Sequence, residues 1–231
     1  IIAKCLADNG RSGVLVEVNC ETDFVAKNED FQSFASEIAS ILLNDSTADL
    51  EEMRAAQVAK TGENVKIARF EHISLDGSGV VESYVHTGAK VAVLLSLSRT
   101  SDEACDEARL LAKDLCMHVA AMRPSGLTTD DIDPAEVERE RGILRGAALQ
   151  EGKPEEIVDK MVEGRMRNYF AEHVLLEQLF VKGDKQTVGQ YAEENGITVK
   201  QFVHWVLGER VGLALLCIIP SLIKIPALEH G

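Results

Sequence analysis

The sequence predicts an α+β protein: two related subdomains, each a small antiparallel sheet with packed helices, and a projecting antiparallel helical hairpin. Three observations predict it. Short segments rich in β-branched residues, several alternating with period two, are bounded by Gly and Asp turns. Between them run stretches whose apolar residues recur at helical spacing. Two of the longest stretches are separated only by Glu151-Gly-Lys153, so their helices must lie antiparallel.

Residues 1–8 and 13–20 form a hairpin around Asn9-Gly10. In its second strand Val14, Val16, Val18 and Cys20 alternate with Leu15, Glu17, Asn19 and Glu21, which predicts one buried face. Asn28 is a good N-cap, Glu29 and Asp30 put negative charge in a first helical turn, and Phe31, Phe34, Ala35, Ile38, Ile41 and Leu42 follow at helical spacing. That spacing predicts a helix over 29–43, and a second follows over 48–60. Strands over 65–74, 80–86 and 90–96 are separated by turns at Asp76-Gly77 and Thr87-Gly88. Together these elements make a first subdomain, residues 1–98.

The second subdomain, residues 99–211, opens with a helix over 102–122 whose Leu111, Leu115, His118 and Met122 share a face, stopped by Pro124-Ser-Gly126. Asp133 caps a helix with Pro134 at its first position, which runs to Gln150, and its partner runs from Pro154 to Glu172. Ile157, Val158, Met161, Val162, Arg165 and Tyr169 give the partner a mixed seam, so the hairpin 134–172 is a peripheral arm that interrupts the subdomain. A short helix over 187–195 and a strand over 198–206 complete it. Residues 212–231 form an atypical apolar tail. Its run Val211-Gly-Leu-Ala-Leu-Leu-Cys-Ile-Ile-Pro220 is shorter than the roughly 20 apolar residues a membrane span needs. Three readings stay open for it: a divergent packing strand, a self-association patch giving a homo-oligomer, or an altered reading frame.

With 38 acidic against 24 basic residues the formal charge is −14, which repels phosphate backbones and anionic lipid. Direct nucleic-acid binding and membrane binding are therefore excluded in favour of a protein partner. Cys5, Cys20, Cys105, Cys116 and Cys217 are odd in number and contain no Cys-x-x-Cys pair, so neither a disulfide framework nor a zinc site is expected. Cys105 and Cys116 share a helix face but stand about 16 Å apart, too far to bridge. His72, His173, His204 and His230 have no metal-ligand spacing, and no metal or cofactor is assigned.

Function is placed at residues 22–25, Thr22, Asp23, Phe24 and Val25, in the short acidic and aromatic loop between a strand and a capped helix. Read from the residues alone, Asp23 is a strand-end carboxylate that caps the following helix, and Phe24 folds back into the core. The run Asn-Cys-Glu-Thr-Asp-Phe-Val-Ala-Lys-Asn, residues 19–28, resembles the motif of the elongation factor Ts family. Lys60-Thr-Gly-Glu-Asn64, Tyr84-Val-His86, Met117-His118-Val-Ala-Ala121, Gly152-Lys-Pro154 and Met161-Val-Glu-Gly-Arg-Met166 resemble further family landmarks in the same order, and the resemblance covers residues 1 to about 211.

The resemblance implies a guanine-nucleotide exchange factor, not an enzyme, that binds elongation factor Tu in its GDP-bound and nucleotide-free forms. It implies a cytoplasmic location, or an organellar matrix in a eukaryote. It reverses the reading of Asp23 and Phe24, which in the family face outwards and disturb the partner's magnesium site. It also implies partner contacts from His86 and from Thr61 and Gly62, which otherwise read as a strand-end histidine and a helix C-cap. Thr87 is an insertion before Gly88 relative to the family. His118, on an apolar helix face, reads as a satisfied core histidine despite its match.

The chain opens at Ile1 in mid-strand, which reads as a fragment lacking the family's small helical docking module. A rival reading follows: a truncated, exchange-inactive scaffold that keeps the fold. An enzyme using Cys20 as nucleophile with His86 is disfavoured, because a cysteine in phase with Val14, Val16 and Val18 points into the core.

Overall fold

A computed structural model describes residues 1–99, 105–152, 154–183 and 185–209; the apolar tail, with Cys217 and His230, lies outside them, as does the Cys105 side chain. The described chain is an α+β fold with two three-stranded antiparallel sheets. The first contains β1 (Ile2–Leu6), β2 (Ser12–Asn19) and β3 (Lys66–Ser74) in that order. The second contains β4 (Gly79–Val85), β5 (Val91–Arg99) and β6 (Ile197–Val206). The turn at Asp76-Gly77 is therefore a crossing between sheets rather than a hairpin, and the three strands expected to follow one another in one unit are shared between two. β5 pairs with β6 across about a hundred residues, from Val91↔Val206 to Arg99↔Ile197.

The helices are α1 (Asp23–Ala26), α2 (Glu29–Asn44), α3 (Glu51–Thr61), α4 (Cys105–Met122), α5 (Pro134–Gln150), α6 (Glu155–His173) and α7 (Val188–Glu194). The one-turn α1 was not anticipated. Most boundaries follow local chemistry: Asp133 accepts from the Ala135 amide ahead of Pro134, and Thr187 and Gln190 form a reciprocal capping box on α7.

Four layers stack in the order helix, sheet, sheet, helix. Val14, Val16 and Val18 pack against Phe31, Phe34, Ala35 and Ile38 of α2. The other face of β2 is not wet, as alternation predicted, because Ile2, Leu15 and Ile73 meet Val81, Ala92, Leu94 and Trp205 of the second sheet. Burial on both faces makes β2 buried from Gly13 to Val18 and leaves β5 as a near-continuous apolar run. Gly13 has no room for a side chain, since a Cβ there would stand 2.6 Å from a methyl of Leu6 in its own sheet and 2.9 Å from one of Leu94 in the second. Beneath the second sheet, Ala108, Ala112, Leu115, Cys116 and Val119 of α4 pack on Val80, Val93, Leu95 and Leu97. Met122, expected on that apolar face, is exposed at the helix end.

α5 and α6 have a core of their own. Ala148, Val158, Val162 and Met166 are buried against Val137, Leu144, Met161, Tyr169 and Phe170, all from these two helices. Arg165, expected in the seam, instead pairs with Glu151 at 2.8 Å, and Ile157 is exposed. The hairpin returns beside its origin, where the Ser125 amide donates to the His173 carbonyl at 2.7 Å. Excising residues 134–172 is expected to leave a folded protein with one cooperative denaturant transition, because no other core loses a side chain. Loss of that transition would show that the arm belongs to the core.

Candidate functional site

At the end of β2 the chain turns through Cys20 and Glu21 into α1. Thr22 has extended backbone angles (φ −123°, ψ 152°), and its hydroxyl oxygen accepts from the Val25 amide at 3.4 Å, which makes it the N-cap of α1. After one turn Asn28 caps α2, its side-chain oxygen accepting from the Asp30 amide at 2.8 Å. Asn28, not Asp23, therefore caps the long helix. Asp23 occupies the first position of α1, where negative charge favours a helix start, and makes no side-chain hydrogen bond or ion pair among the described residues.

Consecutive helical residues point in different directions, and α1 uses that property. Val25 is half-buried against the cluster between α2 and the first sheet. Phe24 is 89 % exposed. The reading of Phe24 as a residue folded back into the core is thus incorrect: the neighbouring valine takes that position.

Glu63 holds the base of the loop. Its Oε2 accepts from the Glu21 and Thr22 amides, each at 3.0 Å, and its Oε1 accepts from the Thr22 hydroxyl at 2.5 Å. Glu63 follows Gly62, whose left-handed conformation (φ +71°) ends α3 as the expected C-cap. Thr61 donates its hydroxyl to the Gln57 carbonyl at 2.9 Å and accepts from the Glu63 amide at 3.3 Å. Thr61 and Gly62 are thereby brought beside the loop. One turn earlier, Lys60 pairs with Asp30 at 2.9 Å.

The hydrogen bond from the Thr22 hydroxyl, followed by those from the Thr22 and Glu21 amides, lowers the Glu63 carboxyl below its ordinary value. A lowered carboxylate pKa stabilises the fold above the unfolded-state value and loses that effect as pH falls through the folded value. Amide protection factors at Glu21 and Thr22 are expected to fall as pH drops below about 4, the ordinary carboxylate range. Unchanged protection factors through that range would refute the assignment.

His86 is exposed at the end of β4, its Nδ1 2.9 Å from the Tyr84 hydroxyl. Thr87 is accommodated in a closed turn, with Gly88 and Ala89 at positive φ and the His86 amide donating to the Val91 carbonyl at 2.9 Å. This turn lies at the same end of the sheets as the loop: the Ile2 amide donates to the Ala89 carbonyl at 2.8 Å, and Ile2 pairs with Glu17 near the end of β2. Among the described residues no hydrogen bond joins His86 to residues 22–25.

Behind the loop lies a charged knot that the sequence did not announce. Glu17 is only 3 % exposed and accepts from Arg69 Nε at 2.8 Å, while Arg69 Nη2 donates to the Val206 carbonyl at 3.1 Å. The guanidinium carbon sits 4.3 Å from the Trp205 ring centroid, and Glu17 Oε1 accepts from the Asn19 side chain and the Gly208 amide, each at 3.2 Å. The knot ties the two sheets together at the end that carries the loop.

The remaining candidates are structural. His118 is fully buried; Val181 donates its amide to Nδ1 at 3.3 Å, so Nε2 carries the proton and donates to Gln178 at 3.0 Å. Burial lowers its pKa and keeps it neutral. Cys20 donates its thiol to the Thr22 carbonyl at 3.4 Å, and desolvation raises its pKa, the opposite of an activated nucleophile. An open cleft of about 440 Å³ lies between α5 and α6, lined by Glu136, Glu140, Arg165, Tyr169 and His173, with none of the loop residues. Among the described residues no group of three or more His, Cys, Asp or Glu side chains is placed to hold a metal ion.

Sequence reading missed Glu63 and Arg69, whose partners lie 41 and 52 residues away. The signal available for Glu63 was its place in the Lys60-Thr-Gly-Glu-Asn64 landmark, directly after a capping glycine. Arg69 carried no such signal. Residues 21–209, more than half of the chain, match the family model described as Elongation factor TS, from the base of the loop to just past β6. The chain belongs to the elongation factor Ts family of translation elongation factors.

Proposed function

We propose that this chain is a guanine-nucleotide exchange factor for elongation factor Tu, which promotes GDP release during elongation by inserting the loop of Thr22, Asp23, Phe24 and Val25 near the partner's magnesium and phosphate site. The observation that carries the reading is Phe24, 89 % exposed on a loop already held at both ends. A GTPase holds GDP through a magnesium ion and backbone amides around the phosphates. An aromatic wedge shifts the walls of that site, and the adjacent Asp23 carboxylate competes for hydrogen bonds around the ion. His86, Thr61 and Gly62 supply further contacts. No bond in the nucleotide is made or broken, so the chain is not an enzyme in this reading. It acts where translation takes place, in the cytoplasm or an organellar matrix.

Preorganisation supports the proposal energetically. A flexible loop would lose ordering entropy on docking, whereas this one is ordered beforehand. Each tenfold weakening of GDP affinity requires about 1.4 kcal/mol of differential contact. By reciprocity, GDP must weaken the binding of this chain by the same factor. Titrating GDP into the complex with nucleotide-free elongation factor Tu is therefore expected to dissociate it, read by loss of co-elution or by calorimetry. Equal affinity for the empty and GDP-bound partner would eliminate exchange and leave the scaffold reading.

A further inference from the structure

We infer that Glu63 is a positioning residue: from the cap of α3 it fixes the direction in which Asp23 and Phe24 project. The inference rests on the exchange reading above and deepens it by naming what holds the wedge. A helix of one turn cannot hold itself, because the cost of nucleation is not recovered over four residues. The orientation of α1 must be imposed from outside. Glu63 meets the chain just before α1, through the Glu21 and Thr22 amides and the Thr22 hydroxyl, and Lys60 meets it just after, through Asp30. The segment 60–63 thus contacts the chain on both sides of the loop, by three hydrogen bonds before α1 and by one exposed ion pair after it.

A direct role for Glu63 against the partner is the competing account, and the geometry disfavours it. Both carboxylate oxygens are already engaged by three donors of its own chain. Turning the carboxylate outwards would give up all three of these hydrogen bonds and leave the exposed Glu21 and Thr22 amides to water, releasing the loop base.

The test compares Glu63→Ala and Glu63→Gln in release of labelled GDP from elongation factor Tu, beside unfolding midpoints and amide hydrogen exchange. Glu63→Ala is expected to lower the efficiency of release about tenfold through misdirection of the wedge. Its unfolding midpoint stays near wild type, and the Glu21 and Thr22 amides exchange faster. Glu63→Gln, which keeps an oxygen for the two amides, is expected to recover most of the activity. Normal release in Glu63→Ala beside slow release in Phe24→Ala would overturn the positioning role and leave the exchange reading standing. Glu63→Gln as poor as Glu63→Ala would also overturn it, in favour of a charge contact. Should the unmodified chain release no GDP, the exchange reading fails by itself, and unchanged amide exchange in Glu63→Ala would then overturn the positioning role separately.

Discussion

Replacing Phe24 with alanine is expected to slow GDP release from elongation factor Tu by about 30-fold or more, the loss of an aromatic hot spot worth about 2 kcal/mol. Folding stability should stay within about 0.5 kcal/mol of wild type, as for other exposed positions. The two readouts separate the two roles an aromatic can play. A buried phenylalanine would cost about 3 to 5 kcal/mol on truncation, and at 89 % exposure Phe24 has no such contacts to lose. Asp23→Asn should act in the same direction on release and leave stability unchanged, because Asn28 rather than Asp23 caps α2. Denaturant midpoints measured beside exchange rates decide the matter: a destabilised Phe24→Ala protein with normal exchange would defeat the wedge mechanism.

The second large effect concerns the knot behind the loop. Arg69→Ala is expected to destabilise the fold by about 3 to 5 kcal/mol, since it leaves the Glu17 carboxylate buried without its counter-charge. Glu17→Ala should cost a similar amount by stranding the guanidinium. Replacing both, as Glu17→Met with Arg69→Leu, should recover most of the loss, because the two desolvation penalties disappear together while apolar contact with Trp205 is kept. Additive losses in the double variant, read from denaturant midpoints, would show that each residue acts alone. The pair joins the first sheet to β6 at the end that carries both the loop and the His86 turn, so its loss should also slow exchange.

Much of this protein was legible in its amino-acid order wherever neighbouring residues decide the outcome. Asn28 followed by Glu29 and Asp30, Asp133 followed by Pro134, and Gly62 after Thr61 each specify a helix end through contacts within a few residues. The α5–α6 hairpin followed from two long periodic segments and a turn too short for any other arrangement. The roles proposed for the exposed loop residues rest on the family motif.

Tertiary structure alone decided what depends on distant partners. Alternation along β2 predicted one wet face, and only the arrival of the second sheet buried Leu15 and Glu17. β4 and β5 were placed with β3 because they follow it, whereas β6, about a hundred residues later, completes their sheet. The partners of Glu63 and Arg69 lie 41 and 52 residues away, and only the fold brings the loop base and Glu17 within their hydrogen-bond reach. Periodicity records which side of an element is apolar, but it does not record what comes to cover that side. Caps and turns are therefore written locally in this chain, while sheet partnership, burial of both strand faces and the clamp on the loop arise from packing.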